Sequence, residues 1–139
     1  MYSQETINLS KYRLEKAASD LSAAKKTLEL EMYDTAANRS YYAIFHAARA
    51  VLALDGKDYK KHSGVISTFR KDYIKTSVFD KRMSDIIKNA FDLRTETDYD
   101  DFYVVSKEEV REQVEDAIYF VGKVRDYLKV VFKQFTNLQ

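Results

Sequence analysis

No proline occurs anywhere in the 139 residues, and glycine occurs only three times. These absences constrain the fold more than any other feature. A many-stranded sandwich or barrel needs a tight turn every few residues, and tight turns recruit Gly, Pro and Asn. A chain so poor in two of these predicts long helices joined by few loops. Its length matches one ordinary domain, large enough to bury a real core. The expectation is a single domain over residues 1–139 with its core at about 7–133.

Apolar periodicity places the helices. Leu14, Ala17, Ala18, Leu21, Ala24 and Leu28 recur at three- and four-residue spacing and predict a helix over about 9–32. A second, capped by Asp34 or Thr35, runs to about residue 54 with Ala37, Tyr41, Ile44, Ala48, Val51 and Leu52 facing inward. Asp55-Gly56-Lys57 ends it, since glycine accepts the left-handed conformation of a C-cap. Ser63 opens a short third helix carrying Val65, Ile66, Phe69 and Tyr73. A fourth covers about 80–93 with Met83, Ile86, Ile87 and Ala90, and the polar stretch 94–103 reads as a loop. Ser106 and Glu109 form a capping-box pattern. The helix it starts runs to about 135 on Val110, Val114, Ala117, Ile118, Val121, Val124, Leu128 and Val131, with Gly122 as its weak point. The predicted fold class is all-α, an antiparallel bundle of four to five helices.

The absence of cysteine removes disulfides, thiol nucleophiles and cysteine-based zinc sites. The two histidines, without an obvious ligand cluster, argue against a metal site, and no cofactor motif is present. No apolar run approaches the ~20 residues of a membrane span. The N-terminus has no basic-then-apolar leader. The expectation is a cytoplasmic protein with no membrane partner. The net charge of +1 argues against coating nucleic acid by bulk charge. It is a cancellation: residues 1–71 hold 12 Lys/Arg against 8 Asp/Glu, and residues 72–139 hold 11 against 14. Any RNA binding is therefore expected at one local cleft.

The basic half contains an unusual helix. Residues 35–54 carry no acidic side chain but do carry Arg39, His46 and Arg49. Seven residues turn 700°, so Arg39 and His46 share a face about 10 Å apart along the axis. Tyr42 lies between them, and Asn38 sets an amide beside Arg39. Arginine offers a permanently charged fork that fits phosphate oxygens, and histidine exchanges protons near neutrality. The pair suits cleavage of a phosphodiester without metal, with His46 as acid/base and Arg39 stabilising transition-state charge. The competing reading is structural, with His46 in a satisfied hydrogen bond.

Three segments carry a resemblance. Residues 37–52, ANRSYYAIFHAARAVL, resemble the signature helix of the HEPN family (higher eukaryotes and prokaryotes nucleotide-binding domains). KHSGVI at 61–66 resembles its K-H-S-G segment, and RTETDY at 94–99 its R-x-x-x-D-Y segment, in the family's order. The resemblance implies a helical bundle that usually forms a homodimer, with an Arg-x(4–6)-His motif matched here by Arg39 and His46. In active members that motif belongs to metal-independent endoribonucleases whose two copies face each other in one cleft. Many are toxins paired with a nucleotidyltransferase-fold antitoxin, and others are non-catalytic nucleotide-binding or protein-interaction modules. The chain departs from the branch with a tyrosine two residues after the histidine: Ala48 stands there, so antitoxin-catalysed nucleotidylation of that tyrosine does not carry over.

The candidate site therefore comprises Arg39 and His46 as catalytic residues. Asn38, Tyr42, Arg49 and Arg94 are candidates for binding phosphate or substrate. Lys57, Lys60, Lys61 and His62 form a basic loop, read as phosphate contacts at the cleft mouth or as solvated surface, with His62 and Ser63 capping the third helix. Glu96, Asp98, Asp100 and Asp101 lack the glycine and distal glutamate of a calcium loop. They are expected to cap a helix or to pair with the basic half, with Asp98 in reach of Arg94. Tyr41, Tyr42 and Phe45, with the small-residue face Ala43, Ala47 and Ala50, are the expected dimer contacts.

Overall fold

The computed structural model describes residues 2–100 and 103–138. The order is α1 (Gln4–Glu29), α2 (Tyr33–Leu54), α3 (His62–Phe69) continued by one π-helical turn (Arg70–Ile74), α4 (Lys81–Tyr99) and α5 (Lys107–Asn137). No strand occurs among the described residues. The all-α expectation holds.

Helix α1 starts five residues earlier than its apolar stripe suggested. Ser3 and Thr6 form a reciprocal cap: the Ser3 hydroxyl accepts from the Thr6 amide and the Thr6 hydroxyl from the Ser3 amide, both at 3.1 Å. The added turn buries Ile7. At its other end the Met32 amide donates to the Thr27 carbonyl and the Glu31 amide to the Leu28 carbonyl, with Glu31 left-handed at φ 60°. This is the same closure that Gly56, at φ 68°, provides after α2. Helix α2 consequently begins at Tyr33, and neither Asp34 nor Thr35 caps it.

Helix α2 is the centre of the bundle. Fourteen of its 22 residues are buried, including every position predicted to face inward. Its small side chains admit α1 closely: Ala43, Ala47 and Ala50 are fully covered, and the buried Ser10 hydroxyl donates to the Ala50 carbonyl at 2.7 Å. This corrects the expected dimer face, because the alanine stripe is spent within the protomer. Tyr41 and Phe45 are buried too, leaving Tyr42 as the partly exposed ring of the three. Helix α5 packs across α2, and the Gln113 amide donates to the Ala37 carbonyl and the Ser40 hydroxyl, each at 2.9 Å.

Two stripe positions were misread. Ala18 and Ile118 face solvent, while Arg13 and Phe120 are buried. The expected loop after residue 93 is helix as far as Tyr99, where an Arg94–Asp98 pair at 3.3 Å and the Thr95 hydroxyl bond to the Phe91 carbonyl carry α4 through polar sequence. The Ser106 capping box forms as the sequence indicates, and Asp80, not read as a cap, accepts from the Met83 amide to cap α4.

Candidate functional site

Since α2 is buried on most of its circumference, its polar residues mark the one strip left uncovered. Arg39 and His46 do emerge on that strip, and they meet a residue the sequence reading missed. Asp20 of α1 places one carboxylate oxygen 2.9 Å from Arg39 Nη1 and the other 3.9 Å from His46 Nε2. Asn38 takes the rest of the arginine fork, its Oδ1 accepting from Nε at 3.1 Å and Nη2 at 2.6 Å. A signal for Asp20 was present. It lies three residues after the buried Ala17, on the edge of the α1 stripe that packs on an acid-free helix.

Tyr42 is the hub of the site. Its ring lies 5.4 Å from the Arg39 guanidinium carbon, 5.7 Å from the His46 ring and 6.0 Å from the His62 ring. Arg94 reaches the same platform from α4, its guanidinium carbon 5.2 Å from Tyr42 and 5.0 Å from Tyr41. The helical extension past residue 93 is what aims it there. Four of the six predicted residues, Asn38, Arg39, Tyr42 and His46, thus form one strip with Arg94 against it. Arg49 sits one turn beyond His46, over the Phe45 ring at 5.8 Å.

His62 does not cap α3. It is the first residue of that helix, after an N-cap at Lys61 that makes no side-chain bond, and its ring stacks on Phe45 at 4.0 Å between centroids. Its Nδ1 faces the Tyr41 hydroxyl at 2.7 Å and also Arg94 Nη1. Arginine can only donate, so Nδ1 is the acceptor and the ring proton resides on Nε2. Lys57 leaves the cleft mouth altogether, pairing with Asp72 at 2.6 Å over the Tyr73 ring. Asp58, absent from the sequence reading, is clamped between Arg13 and Arg49 at 3.3 Å each. Of the acidic cluster, Asp98 pairs with Arg94, while Asp101 lies outside the described residues.

The electrostatics fix protonation states. Burial, then the fields of Lys16, Arg49, Arg13 and His62, push His46 down to about 4. Asp20 opposes this, but 3.9 Å is too long for a hydrogen bond. His46 is therefore neutral at pH 7, with Nδ1 buried and unpartnered and Nε2 turned toward Asp20. Burial, then Arg94 and Arg49, also hold His62 below its ordinary value. Burial raises the Tyr41 hydroxyl to about 12, so it stays protonated. Among the described residues no three His, Asp or Glu side chains group as metal ligands, and no helix is long and apolar enough to cross a membrane.

The HEPN domain family model matches residues 10–130, a span that includes every member of this site. The chain belongs to the HEPN family. "Putative toxin MJ0142" of Methanocaldococcus jannaschii is 35% identical over 115 residues, 83% of this chain and 78% of that one. "Putative toxin MJ0605" of the same organism is 34% identical, covering 85% and 87% respectively. A "UPF0332 protein" of Archaeoglobus fulgidus is 36% identical, covering 82% and 90%. The likeness runs over most of the length of each of these relatives.

Proposed function

We propose that this HEPN protein is a homodimeric, metal-independent endoribonuclease of the toxin type. The observation that supports it is the Arg39–Asp20–His46 arrangement: an arginine fork and a neutral imidazole on one partly buried strip, both turned to the same carboxylate. That carboxylate marks a position an anion can occupy. A scissile phosphate held there lies between a cation that stabilises added charge and a nitrogen able to take a proton. The 2′-hydroxyl oxygen attacks phosphorus, its proton passes to His46 Nε2, and the bond to the 5′ oxygen breaks. The products are a 2′,3′-cyclic phosphate and a 5′-hydroxyl that takes its proton from water. Asn38 fixes the arginine fork, Tyr42 supplies the platform, and Arg49 and Arg94 bind flanking phosphate.

The test is cleavage of a short RNA in EDTA by the wild type and by His46→Ala. A drop of about 10²-fold or more in the variant is expected from loss of one positioned acid/base group. Equal rates in the two proteins would refute the assignment. Sedimentation at high micromolar concentration checks the dimer; Leu9 and Tyr12, left exposed on α1, are its candidate contacts. The proposed partner is a nucleotidyltransferase-fold antitoxin. It is checked by whether an adjacent gene encodes that fold and whether its product suppresses cleavage.

One observation favours the alternative, a non-catalytic nucleotide-binding or protein-interaction module. The Arg39 fork is already engaged by Asn38 and Asp20. Calorimetric titration with nucleotides, showing binding without turnover, would select it.

A further inference from the structure

Three depressions lie end to end on the face that leads away from His46. The first, about 470 Å³, runs from Phe45 and Arg49 to Lys60 and His62. The second, about 480 Å³, shares Lys60 and His62 with it and continues past Lys61 and Arg94 to Ser63 and Phe91. The third, about 720 Å³, shares Ser63 and Phe91 and opens between the π-helical turn and α4. Shared walls make these one groove. It begins one helical turn beyond His46 and ends at Lys75 and Lys81.

The groove is cationic along its whole length. Its third segment alone carries Arg70, Lys71, Lys75, Lys81 and Lys88 against one carboxylate, Asp92, which Lys88 already holds at 3.0 Å. In the other two segments Asp58 and Asp98 are likewise held by arginines. Lys71, Lys75 and Lys81 are exposed and form no ion pair among the described residues. Lys81 stands in the first turn of α4, directly after the Asp80 N-cap, whose carboxylate accepts from the Met83 amide. Rings punctuate the path: His62 and Tyr59 in the first segment, Phe91 between the second and third.

We infer that this groove binds single-stranded RNA extending from the Arg39–His46 strip, so that the substrate is a strand many nucleotides long. Cations at intervals with interleaved rings suit a phosphate backbone with stackable bases. Continuity with the strip favours RNA over an acidic protein segment. The near-neutral total charge conceals the track, which would extend the phosphate contacts beyond the local cleft expected from the sequence. The inference rests on the endoribonuclease reading for its direction but is tested separately from it.

The probes are 2′-O-methyl oligouridylates of 4 and 20 nucleotides, which lack the attacking hydroxyl, titrated into the wild type and into Lys71→Gln/Lys75→Gln/Lys81→Gln at several salt concentrations. Each phosphate contact to a single strand contributes about 0.7 to the log–log salt slope. The triple variant should therefore show a slope shallower by about 2 with the 20-mer. Between 50 and 200 mM salt the wild type should lose about 20-fold more affinity than the variant. The 4-mer should not distinguish the two proteins. Identical 20-mer slopes overturn the inference, as does lysine-dependent binding of a polyglutamate peptide without RNA binding. If His46-dependent cleavage of short RNA persists while the slopes coincide, only the groove fails. If lysine-dependent binding appears without cleavage, only the nuclease reading fails.

Discussion

Protonation of His46 should be a specific cost to folding. In the unfolded chain the imidazole titrates near 6.5, and in the folded protein burial and four neighbouring cationic or imidazole groups push it down to about 4. Between those values the unfolded state binds more protons than the native state, so stability rises with pH through this window and is lost as pH falls. Binding to both states gives a loss of about 2 kcal/mol between pH 7.5 and 5, and about 3 kcal/mol by pH 4. The side chain is only 12% exposed, so solvent screening leaves most of this intact. Urea unfolding at pH 7.5 and 5 for the wild type and His46→Gln isolates the contribution, because carboxylates and His62 titrate alike in both. The wild type should lose about 2 kcal/mol more than the variant over that interval. Parallel pH dependences would refute the argument, showing that the Asp20 carboxylate offsets the burial of His46.

Gly122→Ala should stabilise α5 by about 1 kcal/mol in thermal unfolding, since an added Cβ meets nothing within 4 Å and helical alanine is preferred to glycine. Gly56→Ala, at φ +68°, should cost about 1 kcal/mol in the same assay. Gln113→Leu should cost about 1–3 kcal/mol in urea, because it strips a buried donor from the Ala37 carbonyl and the Ser40 hydroxyl.

Much of the fold was legible from local sequence. The missing prolines, the 3.6-residue periodicity, the Ser106 cap and the Gly56 stop are decided within a few residues, and each forms as read. Boundaries failed where a cap did not sit beside an apolar run, as at Ser3, or where ion pairing continued a helix without an apolar face, as over residues 94–99. Arg39, Tyr42 and His46 shared a face by rotation alone, which needs no partner.

The sequence by itself determined an all-helical chain with one acid-free helix and the Arg-x6-His spacing on it. Tertiary structure decided what that strip touches. Asp20 is 19 residues from Arg39, Arg94 is 52 from Tyr42, and the cationic groove joins residues of α2, α3, the π-helical turn and α4. Contacts between such distant positions depend on how helices cross. Crossing is set by side-chain volume, here the alanine stripe of α2 that draws α1 close enough for Asp20 to reach both Arg39 and His46.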